Sequence, residues 1–142
     1  MNKPTSARPS TAFVGASWGA LIVGMAAYLV GLWNAQMQLN EKGYYLTLLL
    51  YGAFAAVSLQ KTLRDRAEGL PVTGMYVGLC WLSLAAAIGL LAVGLVNASL
   101  LLSEKGFYAM SFVLTLFAII AVQKNVRDLA AANGPASFSE QA

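Results

Sequence analysis

Four apolar stretches alternate with short polar ones along this chain of 142 residues. No Asp, Glu, Lys or Arg occurs across 9–40, 43–60, 69–103 or 106–123. A helix that crosses about 30 Å of hydrocarbon needs roughly 17–25 residues. The 18 residues of the second and fourth stretches rise about 27 Å as a helix, which makes them minimal spans. The first and third stretches have length to spare for tilt. The pattern therefore predicts four membrane-crossing helices. The first is too long for the apolar region of a cleaved signal peptide, about 7–15 residues, and no small-x-small cleavage site follows it. The third repeats it at a position where no signal peptide could sit.

That repetition is systematic. Shifting the chain by 63 residues aligns it with itself without gaps, with about 20 identities over 52 positions. Trp18 meets Trp81, and Asn34 meets Asn97. Glu41-Lys42-Gly43 meets Glu104-Lys105-Gly106. Gln60-Lys61 and Arg64-Asp65 meet Gln123-Lys124 and Arg127-Asp128. A fixed period of this kind marks a structural unit, here helix, turn, helix. Two spans per unit make both copies enter the membrane from the same side, so the repeats are parallel rather than inverted. The expected fold is all-α: an integral membrane four-helix protein built from two parallel-repeat helical hairpins. Its parts are an unstructured tail over 1–11, a first hairpin over 12–65, a loop over 66–74, a second hairpin over 75–128 and a second tail over 129–142. Both tails are short and polar, with Pro4, Pro9, Gly134 and Pro135 among them.

Composition agrees with a lipid solvent. The chain is 58% hydrophobic and 11% charged, where a soluble domain carries about 25% charged residues. Charge then sets the orientation. Lys3, Arg8, Lys61, Arg64, Arg66, Lys124 and Arg127 fall on one side, and only Lys42 and Lys105 on the other. The Lys/Arg excess marks the cytoplasmic face. Both termini and the central loop are therefore expected there, with Lys61, Arg64, Arg66, Lys124 and Arg127 as anchors beside anionic lipid headgroups. The sequence pI near 9.2 has this topological origin and calls for no nucleic acid. The aromatic residues concur: Trp18 and Trp81 lie near one boundary, and Tyr44-Tyr45 and Phe107-Tyr108 near the other.

Several local features carry candidate roles. Glu41, Lys42, Gly43 and their counterparts Glu104, Lys105 and Gly106 read as outer turns, with each glycine supplying the positive φ of a reversal. Helices starting at Asn40 and Ser103 are the alternative. A pair of outward carboxylates that binds a cation or a partner is the functional counterpart of the turn. Gly31, Asn34 and Ala35, with Gly94, Asn97 and Ala98, form two G-x-x-N-A boxes. Small residues at i, i+4 let helices approach, and an adjacent Asn can bond across the contact. Gly15 with Gly19, and Gly74 with Gly78, add further small-x-x-x-small pairs, suited to packing within the chain or in a homo-oligomer. The Q-K-x-x-R-D segments place cations at helix C-termini, where the macrodipole favours them. Lys61 and Asp65 are i, i+4 neighbours, as are Lys124 and Asp128.

Candidate chemistry is sparse. The chain has one cysteine, Cys80, and no histidine. The usual ligands of zinc or haem are missing, and so is the commonest general base. Cys80 aligns with Ser17, which suggests a small packing residue. No catalytic, metal or cofactor site is expected. No charged residue lies deep in a span, although proton-coupled carriers usually keep one there.

Two apolar hairpins with an [NS]-E-K-G-[YF]-Y turn and a Q-K-x-x-R-D ending resemble the YiaA/YiaB family of bacterial inner-membrane proteins. The resemblance covers about residues 15–128. It implies a two-helix domain in two tandem copies and a place in the bacterial inner membrane. It brings no assigned activity and no catalytic residues. The expectation is a small structural or accessory membrane protein whose first partner is the lipid bilayer. The alternative is a transporter or channel component with Asn34 and Asn97 lining a polar path, and Gln36 and Gln38 as further candidates for it.

Overall fold

A computed structural model describes residues 8–141, with side chains placed over 8–133. Four helices make up nearly all of it: α1 (Thr11–Asn34), α2 (Leu39–Ala67), α3 (Gly74–Asn97) and α4 (Leu102–Gln141). All four are long and apolar enough to cross a membrane. The starts of α1 and α3 are equivalent. Ser10 Oγ accepts the Phe13 N–H at 3.1 Å and Thr73 Oγ1 accepts the Tyr76 N–H at 3.3 Å, each satisfying one orphan donor of the first turn. Helix α2 ends on Gly69, at φ 79°. There Leu70 N bonds Asp65 O and Gly69 N bonds Arg66 O, a Schellman pair that needs the left-handed residue in the middle.

The chain reverses earlier than the E-K-G triplets predict. Both links, 35–38 and 98–101, precede them, and Gly43 and Gly106 lie inside α2 and α4. Asn40 and Ser103 lie inside as well, and Gln38 caps α2 without a side-chain bond. The triplets are helix starts. Glu41 and Glu104 occupy first turns, where the partial positive charge of a helix N-terminus favours a carboxylate. Lys42 Nζ reaches back to Trp33 O at 3.0 Å, and Lys105 Nζ to Val96 O at 3.4 Å. Each lysine thus caps an open carbonyl at the end of the preceding helix.

Helix α4 also departs from expectation. It runs past Asp128 to Gln141, through the stretch expected to be an unstructured tail. Leu129, Ala130, Ala131 and Ala132 are strong helix formers and account for its course as far as Ala132. Of the N-terminal tail, residues 1–7 lie outside the described residues, while Ser10 and Thr11 already cap and open α1.

The helices exchange partners between repeats. Helix α1 packs mainly on α4, and α3 mainly on α2, while α2 and α4 meet at the centre. The two helices of one repeat scarcely touch, and α1 and α3 do not touch at all. Each repeat is thus an open V, and the two Vs interlock about a pseudo-two-fold axis. The central helices are 44% buried over their apolar windows, against 17% and 22% for α1 and α3. Tyr28, Leu49, Phe112 and Thr115 are fully enclosed. The outer surface carries Ile22, Trp33, Phe54, Val96 and Phe117, all more than 60% exposed, an apolar area that only lipid covers favourably.

Glycine hollows fix the interlocking. A Cβ on Gly31 would sit 2.8 Å from the Phe107 ring, and one on Gly94 would sit 2.7 Å from the Tyr44 ring. These are equivalent contacts of α1 with α4 and of α3 with α2. Gly24 makes room for Thr115, and Gly52 for the Phe112 ring. By contrast, no atom lies within 4 Å of a Cβ built on Gly15, Gly19 or Gly78. These three do not pack helices within the chain, because they face outward on the flanking helices.

Candidate functional site

The two ends of the bundle hold the polar chemistry. At the end carrying the Q-K-x-x-R-D segments, α2 and α4 close on each other through reciprocal ion pairs. Arg64 pairs with Asp128, and Arg127 pairs with Asp65. Lys61 bonds Asp65 at 2.9 Å and Lys124 bonds Asp128 at 2.8 Å within their own helices. Glu68 is shared by Arg64 at 3.0 Å and Arg127 at 3.2 Å. Its repeat counterpart is Ala131, so Glu68 is the member that breaks the symmetry. Hydrogen bonds from Lys61 and then Arg127 hold the Asp65 carboxyl below its ordinary range. Glu68 is lowered in the same way, by the bond from Arg64 first. Burial pushes Asp128 up, but the bonds from Lys124 and Arg64 outweigh it and leave this carboxyl lowered too. Four of the five expected anchors, Lys61, Arg64, Lys124 and Arg127, are therefore engaged with carboxylates.

Just inside this clasp lies a polar layer that neither composition nor spacing pointed to. Asn125 Nδ2 donates to Ser17 Oγ at 3.2 Å, and Ser17 Oγ donates to Phe13 O at 2.8 Å. The equivalent pair on the other side is Thr62 and Cys80, with Oγ1 and Sγ 3.9 Å apart. All four residues are buried. The buried Asn125 Oδ1 and Gln60 Oε1 have no partner among the described residues. The available signal was the alignment itself: Ser17 meets Cys80 and Thr62 meets Asn125, all four being small or polar side chains within apolar helices.

The opposite end opens into two cavities related by the pseudo-two-fold. One, of about 560 Å³, is lined by Gln38, Asn40, Glu41, Tyr44, Tyr45, Gly94 and Asn97, among others. The other, of about 700 Å³, is lined by the equivalent Ser103, Glu104, Phe107, Tyr108, Gly31 and Asn34, with neighbours. Gln36, Ser99 and Leu100 line both. Each cavity is assembled from the start of one repeat's second helix and the end of the other's first. Tyr108 donates its hydroxyl to Gly31 O at 2.8 Å, and Tyr44 donates to Leu90 O at 2.5 Å. Beneath, the Tyr45 and Tyr108 rings stack with centroids 6.1 Å apart. Tyr28 is enclosed below them, its hydroxyl on Tyr45 O at 2.8 Å.

Asn34 and Asn97 do not bridge helices. Asn34 Nδ2 bonds Val30 O at 2.9 Å and Asn97 Nδ2 bonds Val93 O at 2.8 Å, each within its own helix, and both side chains are exposed. The helix end and the following extended Ala35 or Ala98 leave no opposing backbone for them to reach. Gly31 and Gly94, from the same boxes, are the residues that sit at close contacts.

A model of the yiaA/B two helix domain matches twice, over residues 13–65 and 76–128. The chain is 56% identical to "Inner membrane protein YiaA" of Escherichia coli (strain K12) over 119 residues, covering 84% of this chain and 82% of that one. It is 34% identical over 97 residues to "Inner membrane protein YiaB" of the same organism, covering 68% of this chain and 81% of the relative. A shorter match, 37% over 62 residues, is to "Uncharacterized membrane protein YubF" of Bacillus subtilis (strain 168), covering 43% of this chain and 71% of that one. No solved structure matches. Two domain matches over most of the chain, on four apolar helices, identify it as a multi-pass inner-membrane protein of the YiaA/YiaB family.

Proposed function

We propose that this chain is a structural or accessory component of the inner membrane, a monomer or low homo-oligomer, with both termini and the 68–73 link in the cytoplasm. The observation that carries it is the reciprocal exchange of helices. Each repeat supplies the packing partner that the other lacks, and the Arg64–Asp128 and Arg127–Asp65 pairs lock the exchange at one end. Such a bundle is shut below its outer cavities by Tyr28, Leu49 and Phe112, and its apolar spans hold no charge to relay an ion. No enzymatic step, cofactor or nucleic acid enters this reading. Contacts with anionic headgroups fall to Arg66 and to the exposed stems of Lys61 and Lys124. Low homo-oligomers would form through the outward faces of α1 and α3.

Reporter fusions test the orientation. Green fluorescent protein fused at residue 70 and at the C-terminus should fluoresce, and alkaline phosphatase fused at the same sites should be inactive. Phosphatase activity at either site overturns the orientation. Purified protein in liposomes should leave proton and potassium gradients intact, and saturable dissipation of either would replace the accessory role with transport.

A further inference from the structure

The outer cavities have a chemistry that the accessory role does not use. Each contains one carboxylate, Glu41 or Glu104, and no Lys or Arg. Among the described residues neither carboxylate makes an ion pair. The neighbouring lysines, Lys42 and Lys105, are turned to the carbonyls of Trp33 and Val96. Each cavity is therefore a site of net negative charge. The amides add to it. Asn34 and Asn97 each give one N–H to their own helix, and each keeps Oδ1 free to accept from a ligand, beside its second N–H.

The aromatic walls select among cations. Tyr44 and Tyr45 stand nearly perpendicular, 86° apart with centroids at 5.3 Å, and Phe107 and Tyr108 repeat this at 77° and 6.0 Å. Tyr44 and Phe107 stay 36% and 46% exposed, so ring surface remains open beside the carboxylate. Hydroxyl bonds to Leu90 O and Gly31 O, and the seats at Gly94 and Gly31, hold the rings in place before any ligand arrives. An aromatic face attracts a weakly hydrated cation within about 6 Å of its centre. A divalent metal instead favours a cluster of hard, mostly charged oxygens, and each cavity offers a single carboxylate, its other polar side chains being neutral amides and hydroxyls. At 560–700 Å³ each cavity holds far more than the ~30 Å³ share of a single water, so there is room for a polyatomic group.

We infer that these two cavities bind an organic ammonium group, one at each carboxylate-and-aromatic corner. Two sources present that chemistry at this depth: an aminophospholipid headgroup in the outer leaflet, and a soluble amine from the aqueous side. The inference is independent of the accessory role, since a bundle that binds nothing here would still be closed and clasped.

The test uses the full chain in phosphatidylglycerol nanodiscs, read by native mass spectrometry. One arm doses phosphatidylethanolamine, a second doses its N-acetylated form, and a third titrates soluble ethanolamine and spermidine. Phosphatidylethanolamine adducts, absent with the N-acetylated lipid, assign the site to a headgroup. Adducts with the soluble amines assign it to a free amine. In either case the Glu41→Gln, Glu104→Gln double variant should bind about tenfold more weakly, with only a small drop in melting temperature from the two lost helix-terminus charges, because it loses the charge and keeps the shape. Tyr44→Leu with Phe107→Leu, which keeps bulk at the glycine seats, should weaken binding by a smaller factor. The inference is overturned by N-acetylated lipid held as well as the amine, by binding indifferent to E41Q/E104Q, or by no amine adduct in any arm.

Discussion

The two ends of this bundle are held together by opposite means. At the clasp end, helices are joined by reciprocal charge: two arginines and three carboxylates, with a buried polar layer above them. At the other end they are joined by shape, with aromatic rings set into glycine hollows. Charge complementarity tolerates water and ties α2 to α4 at that end. Ring-in-hollow packing is stiff and local, and leaves a cavity beside each ring. The difference shows how one duplicated unit produces both a clasped end and an open one.

Filling the hollows should separate the two ends most sharply. Gly31→Leu with Gly94→Leu forces side chains into the Phe107 and Tyr44 rings. Overpacking costs about 1–3 kcal/mol per site, so the double variant should lose its thermal transition in mild detergent or fall well below wild type. A melting point within a few degrees of wild type would deny the hollows their role.

Asp128→Asn should follow in size. Asp128 is buried and meets both Arg64 and Lys124. Its loss should cost about 1–3 kcal/mol, chiefly by leaving partly buried cations underpaired. Arg64→Asp combined with Asp128→Arg should recover part of that, and absence of any recovery would mean that the pair does not act across the repeats.

The clasp should also titrate. Asp65, Glu68 and Asp128 all have lowered folded-state values. Their contribution is present in full above the ordinary carboxylate range, near pH 4, and is lost as pH falls through the lowered values. Melting temperature should stay level from about pH 8 to 5 and drop below about 4. Asp65→Asn with Asp128→Asn should start lower and show a flatter acid limb.

Two smaller effects sharpen the contrast. Asn125→Leu removes a buried carbonyl oxygen without a partner among the described residues and leaves the Ser17 hydroxyl bonded to Phe13 O. Its effect should lie within about 1 kcal/mol of neutral, of either sign. Ala at Gly15, Gly19 and Gly78 meets no atom of the chain, and should raise stability by up to about 1 kcal/mol per site through helix propensity. A loss of stability, or a shift in subunit count, would show that these faces meet another copy.

The repeat, the four spans and the family were legible because they rest on composition and fixed spacing. A 63-residue offset and four uncharged stretches need no tertiary context. The exchange of partners was not legible. A helix that is apolar all round carries little signal of which face meets which neighbour, and two adjacent spans suggest a closed hairpin by default. The E-K-G triplet misled for a related reason. Glu, Lys and Gly suit a turn, but Glu also suits a first helical turn and Lys can reach back to cap a preceding helix, as Lys42 does on Trp33 O. For the Q-K-x-x-R-D segment, i, i+4 geometry disclosed Lys61–Asp65 and Lys124–Asp128, whereas the stronger Arg–Asp links join residues about 63 positions apart. Gly31 and Gly94 were marked as close-contact glycines, while the rings they seat could be named only from the fold.

The interlocked arrangement also orders biogenesis. As the polypeptide leaves the ribosome, α1 enters the bilayer with almost nothing to hold, because its main neighbour α4 is synthesised last. The middle pair, α2 and α3, is the first that can dock. Until the final span arrives, α1 presents the bare Gly24 and Gly31 seats to lipid, and a nascent chain truncated before residue 102 would be marked as unfinished by that vacancy.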